Sequence, residues 1–227
     1  MKTIRTNSPV AGQRWAVFAL AAAGLLGGAS AVSAASLKGQ VLGAGEPVAQ
    51  STVTLWAGSA GAPKQLAQAR TDAQGRFSLT VPGARQGTSL YLVAQGGQSA
   101  ANKAAGNNPA IGLITVLGSK APTTVTINEM TTIATVWTHN QFINGTAIQA
   151  QPLQLKIAAG NVPSFVNLAT GGWGGAIQDP LNSGQTPTMG NFATLASVLG
   201  ACVTQVRPQA CQTVFRAAQG PTGAAPA

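Results

Sequence analysis

The chain has 227 residues and a formal net charge of +9, yet only 7% of its residues are charged, against about 25% in an average soluble domain. Hydrophobic residues make up 45% and aromatic residues 5%, and 28 glycines lighten the chain. This composition excludes a charged disordered tail and leaves room for a buried core. No internal apolar run reaches the length of about 18 residues that suggests a membrane span.

The N-terminus reads as an address. Residues 1–14 carry Lys2, Arg5 and Arg14 and no acid, Trp15 to Leu26 is apolar, and Ser30 to Ala34 is a stretch of small residues. This is the three-part layout of a secretory signal peptide, with cleavage predicted after Ala34. No cysteine sits near that point, so a lipid anchor there has no support. Residues 1–34 are therefore expected to direct the chain to the periplasm, the cell surface or the extracellular space, with no membrane span left after cleavage. The remaining basic residues, from Lys38 to Arg216, are scattered singly with no aromatic interleaving. Nucleic acid recognition needs a clustered patch, so it is not expected. Dispersed charge suits solubility or weak attraction to anionic envelope polymers.

From Leu37 to Ile127 the pattern is one of short strands punctuated by Gly, Pro and Asp. Leu37–Leu42 leads into a turn at Gly43–Pro47, and Val53 and Leu55 alternate with Thr52, Thr54 and Trp56. Gln65–Thr71 is a weaker strand. Asp72-Ala-Gln-Gly75 forms a tight turn, because Asp bonds its own backbone and Gly accepts positive φ. Arg76–Val81 and Ser89–Ala94 are further strands, followed by a soft loop from Gly96 to Asn108. Ile111–Leu117 and Thr123–Ile127 read as a closing hairpin. Seven strands at this spacing predict a β-sandwich, with Val41, Val53, Leu55, Phe77, Leu79 and Val93 facing inward.

Gly39-x-Val41, Gly45-x-Pro47-Val48, Val53-x-Leu55 and Thr71-Asp72-x-x-Gly75-x-Phe77-x-Leu79 resemble the carboxypeptidase regulatory-like family and its relatives, the Cna-B-type repeats and transthyretin-like sandwiches. The likeness is clear over residues 37–95 and loose over 111–127. It implies a prealbumin-like fold, found in exported proteins as a spacer, stalk or binding module. Some Cna-B domains carry a Lys–Asn isopeptide bond, but Lys38 has no obvious Asn or Asp partner in the last strand.

After Ile127 the period changes. Thr126-Ile-Asn-Glu129 fits a capping box, and Met130, Ile133 and Trp137 then fall on one helical face. Pro152–Ala159 predicts a short helix ended by Gly160. Asn161 is expected to cap a second, holding Phe165, Val166 and Leu168 and closed by Gly171. Phe192, Leu195, Ala196, Leu199 and Cys202 repeat at helical spacing, and Pro208–Ala218 predicts a final turn or two. Asn128-Glu129-x-Thr131-Thr132, Asn167–Gly171, and Leu195-Ala-x-x-Leu199-x-x-Cys202 followed by Cys211 resemble a region that precedes repeats in large exported bacterial proteins. The expected architecture is α+β: a signal peptide at 1–34, a prealbumin-like β-sandwich of about seven strands at 35–127, a small helical unit at 128–219, and a disordered tail at 220–227.

Four acids are available for chemistry, and each has a structural use: Glu46 and Asp72 in turns, Glu129 in a helix cap, Asp179 before Pro180. No two lie close in sequence, as a glycosidase-type pair would prefer. His139, the single histidine, is expected near a helix C-terminus, where the dipole favours its charge. One histidine and two cysteines do not complete a four-ligand zinc site without carboxylates. No Gly-x-Ser-x-Gly elbow and no P-loop occurs. No catalysis, metal or cofactor is therefore expected. Asn144-Gly-Thr146 matches the glycosylation pattern, which is idle in an exported bacterial-type chain.

The expected role is an exported, non-catalytic structural or interaction module of spacer or adhesion type, meeting a protein or polysaccharide of the bacterial envelope. The alternative is a carbohydrate-binding module using Trp173, in the loop Gly171-Gly-Trp-Gly-Gly175, and Trp56 as sugar platforms. Cys202 and Cys211 are expected to form a disulfide, since export favours it and eight intervening residues span the roughly 5–6 Å that Cα atoms need.

Overall fold

The computed structural model describes residues 35–82, 86–207 and 209–219. The expected signal peptide and C-terminal tail lie outside the described residues.

The architecture is mixed α+β. Strand β1 (Ala35–Gly43) is the hub of the first sheet. It runs antiparallel to β5 (Arg76–Val81), placing Leu37 beside Leu79 and Gly39 beside Phe77. Along its other edge it runs parallel to β9 (Thr124–Ile127). Gly39 is required by this crowding: a Cβ there would collide with the Phe77 ring and the Val125 carbonyl. Beyond a turn, β1 pairs with β2 (Glu46–Ala49), which continues to β7 (Gln98–Ser99). The second sheet has the order β4–β3–β6–β8, formed by Lys64–Arg70, Thr52–Gly58, Ser89–Gln95 and Gly112–Gly118.

Alternation along the strands divides the apolar side chains into two clusters. Leu37, Val41, Val53, Leu55, Phe77, Leu79, Leu92 and Leu113 share one, drawing on both sheets. Val93 is buried as expected, but on the opposite side, with Tyr91, Ile114 and Val116. Six of the seven residues of β6 are buried, because helices cover the second sheet on its outer side. The expected hairpin of the last two strands is absent: β8 pairs with β6 and β9 with β1, so the connection crosses from sheet to sheet. The outer edge of β8 is taken instead by a helix.

That helix is α1 (Glu129–His139), and its cap differs from the expectation. Asn128 is the N-cap, and its box partner is Thr131 rather than Glu129. A small hairpin follows, from β10 (Ile143–Asn144) and β11 (Ala147–Ile148). Where two helices were expected, one helix, α2, runs from Pro152 to Phe165. Leu155, Ala158 and Val162 are its buried stripe, so one continuous face packs inward while Gly160 faces solvent. Pro163 falls in its last turn, and Val166 is extended. Short helices α3 (Gly175–Gln178) and α4 (Pro180–Ser183) lead to α5 (Thr188–Thr204) and α6 (Ala210–Ala217). Val203 of α5 enters the cluster between the sheets, while Phe192 of α5 is fully buried in the second cluster. Among the described residues no helix is long and apolar enough to cross a membrane.

Candidate functional site

Helix α1 packs two kinds of side chain inward: Ala134, Met130 and Ile133 meet the second cluster, and a polar set meets β8 and the β1–β2 turn. Its buried face carries Glu129, Thr131, Thr132, Thr135 and His139, whereas Val136 and Trp137 are 42% and 40% exposed. Edge strand β8 explains this. An unpaired edge presents N–H groups that cost free energy if buried without acceptors. The Thr132 hydroxyl accepts from Ile114 N at 3.1 Å, and the Thr135 hydroxyl accepts from Val116 N at 3.0 Å. Between them Thr115 Oγ1 donates to Thr131 Oγ1 at 2.8 Å. Helix α1 thus stands in for a strand, with hydroxyls supplying what a neighbouring backbone would.

Both ends of α1 carry a buried ionisable group. The Glu129 carboxylate accepts from Ala44 N at 2.7 Å, tying the helix start to the β1–β2 turn. Burial raises its pKa above the usual carboxylate value, and the Ala44 bond opposes that rise. His139 does stand at the helix C-terminus, but burial lowers its pKa to about 4 against the opposing effect of a hydrogen bond with the Thr135 backbone. It is a neutral imidazole at pH 7. Its Nδ1 lies 2.8 Å from Thr138 Oγ1, and its Nε2 is buried without a partner. Burial likewise raises the Tyr91 phenol, whose oxygen accepts from Ile148 N.

On the outer side of the second sheet lies an aromatic cluster. Phe192 is its centre: Phe165 stacks on it at 5.9 Å, and Trp137 and Trp173 tilt against it at 6.2 and 5.6 Å. Trp137 also tilts against Phe165 at 6.1 Å. A cavity of about 230 Å³ opens beside Phe165, lined by Ser164, Ile177, Asn182 and Thr188 among others. Trp173 is half-buried, and its segment makes a bridge with Val166. Trp56, on β3, is also half-buried and packs against the second apolar cluster with Tyr91 and Ile148. Gly171 opens the Trp173 loop at φ +70°, where a Cβ would strike Asn128 and Thr126, so the loop is seated on the α1 cap. The more exposed ring is Trp137.

The C-terminal helices close the far end. Asn108 donates to the carbonyls of Cys202 and Val203 at 3.0 and 3.2 Å, and Asn102 donates to Gln205 O at 2.8 Å. These bonds pin the end of α5 to the loop that follows β7. Cys202 is buried and Cys211 half-buried, both as free thiols. A cavity of about 490 Å³ lies beside them, lined by Asn102, Ala110, Arg207, Cys211 and Phe215 among others.

The remaining acids are spent locally. Asp72 accepts from Gln74 N and Arg76 N in its turn, Asp179 accepts from Leu181 N at the start of α4, and Glu46 is exposed in β2. Lys38 is exposed on β1, and Asn144 is exposed in β10. Among the described residues no three His, Cys, Asp or Glu gather as a metal site would require. Sequence reasoning missed the structural use of Thr131, Thr132, Thr135, Asn102 and Asn108. The Thr131-Thr132 pair and Thr135, three to four residues apart on a helix, were the signal available for the first three.

No family model and no curated protein matches the chain. Among solved structures, a 9R-lipoxygenase from Cyanothece is similar over 41% of this chain and 15% of its own, at 18% identity and a TM-score of 0.30. Such a likeness carries no argument about fold or activity.

Proposed function

We propose that the protein is an exported, non-catalytic structural or interaction module, of spacer or adhesion type, in the bacterial envelope or extracellular space. In this reading the two sheets form a prealbumin-like sandwich and the helices form its attached unit. The observation that carries the reading is the outward side of the helices. Val136 and Trp137 on α1, Leu153 and Ile157 on α2 and Leu195 on α5 are all exposed apolar side chains. Exposed apolar groups in such numbers mark an interaction surface for a protein or polysaccharide partner. The use of Glu129, His139 and the α1 threonines in packing supports a structural rather than a catalytic role.

The test is expression of the full chain, tagged at its C-terminus, in a diderm bacterium. The expected product begins at Ala35 by intact mass and co-fractionates with the envelope, and the pair Trp137→Ser and Ile157→Ser releases it. An unprocessed chain left in the cytosol overturns export. Processed chain that never associates with the envelope, with or without the substitutions, overturns the interaction surface. The carbohydrate-binding alternative through Trp173 and Trp56 has less support, because both rings are half-buried and less exposed than Trp137. A glycan array settles that alternative: it requires binding by the wild type that Trp173→Ala abolishes.

A further inference from the structure

Helix α6 is held unlike any other long helix of the fold. None of its residues is buried, and Phe215 is 57% exposed. Gln205, which ends α5, and Gln209, which precedes α6, take positive φ of 51° and 66°. Helix α6 packs on α5, with Cys211 in its first turn and Cys202 in the last turn of α5. Apolar burial is too small to account for retention of α6 on the domain.

We propose that Cys202 and Cys211 form an intramolecular disulfide by exchange with an external disulfide, and that this bond, rather than packing, holds α6 against α5. The two sulfurs have unequal access. Cys211 is half-buried and lines the cavity of about 490 Å³, whereas Cys202 is buried and points away from solvent. Exchange therefore begins at Cys211. Its thiolate attacks an incoming disulfide R–S–S–R, forming Cys211–S–S–R and releasing one RSH with the proton taken from the Cys211 thiol. The Cys202 thiol then loses its proton, attacks the Cys211 sulfur and releases the second RSH. Two protein thiols are oxidised and one external disulfide is reduced to two thiols. Burial and the Cys211 neighbour push the Cys202 thiol up to about 12, so the second step is the slow one. The bond fixes α6 as one wall of the cavity.

The experiment uses the purified chain in a glutathione buffer poised oxidising or reducing, and so does not depend on export. In the oxidising buffer the monomer is expected to take no iodoacetamide, and a tryptic peptide spanning residues 157–216 is lighter by two hydrogens. Amide exchange across 209–219 slows by on the order of tenfold or more relative to the reduced chain. The Cys202→Ser variant stalls as a glutathione adduct on Cys211, while Cys211→Ser leaves Cys202 unmodified in the folded protein. Two iodoacetamide adducts on the oxidised, folded monomer overturn the proposal, as does a covalent dimer in place of the internal bond. A disulfide that forms without slowing exchange across 209–219 overturns its role as the clamp.

Discussion

Helix α1 borders the edge of β8 whereas α6 packs on α5, and the two are attached by different means. Helix α1 turns its polar side inward, where Thr132 and Thr135 complete the edge of β8 and Glu129 holds the β1–β2 turn. Helix α6 is strongly amphipathic in sequence yet buries no residue. The difference shows that amphipathicity alone does not predict attachment. A helix beside an unpaired strand edge is held by the acceptors it offers, and a helix beside a finished surface needs another tether.

The largest expected effect lies in the core between the sheets, which sets the scale for both helices. Phe77, 6% exposed, sits over Gly39, and Phe77→Ala is expected to cost about 3–5 kcal/mol in denaturant melts through the ring-sized cavity it leaves. A loss below about 1 kcal/mol would show that the β1–β5 register is wrong.

The C-terminal end of α1 comes next. His139 has a folded pKa of about 4, below its ordinary 6.5, so the unfolded chain binds the proton more readily. The stability this group contributes is complete above pH 6.5 and is lost as pH falls toward 4, by roughly 3 kcal/mol in all. Glu129 acts with the opposite sign: its raised folded pKa means its contribution is lost as pH rises from the ordinary carboxylate value. Urea melts at pH 7 and pH 4.5 should therefore show acid destabilisation in the wild type, and His139→Leu should remove it. An unchanged pH slope in the variant would place the acid lability elsewhere.

A smaller effect separates the two helices most cleanly. Thr135→Val keeps the side-chain shape but strands Val116 N in a buried position, and is expected to cost about 1–3 kcal/mol. Phe215→Ala on α6, with its exposed ring, should change stability by less than about 0.5 kcal/mol. Equal costs for the two would erase the distinction.

Much of the sheet region was legible in the residues. Period-2 alternation located β3 and β5, and Asp72 and Gly75 marked the turn that leads into β5. The pairing of β8 and β9 was not legible, because two strands five residues apart look like a hairpin whichever sheets they join. Val93 was assigned to the wrong cluster for a related reason: a strand covered on both faces carries no polar side to orient it. On α1 the apolar face of Met130, Ile133 and Trp137 was legible and packs on the second cluster and its aromatic rings, while the threonine face that meets the edge of β8 was not. Gly160 was read as a stop, yet an exposed glycine with an unbroken Leu155–Ala158–Val162 stripe leaves the helix running.

The central claim, that α1 serves as the missing neighbour of β8, is tested most directly by native-state hydrogen exchange at Ile114 and Val116 in the reduced protein. Their amides donate to Thr132 and Thr135 rather than to a strand. The account predicts that both exchange only through global unfolding, at rates orders of magnitude below those of α6 amides, and that Thr135→Val speeds Val116 selectively. Exchange at Ile114 and Val116 as fast as in α6 would contradict it.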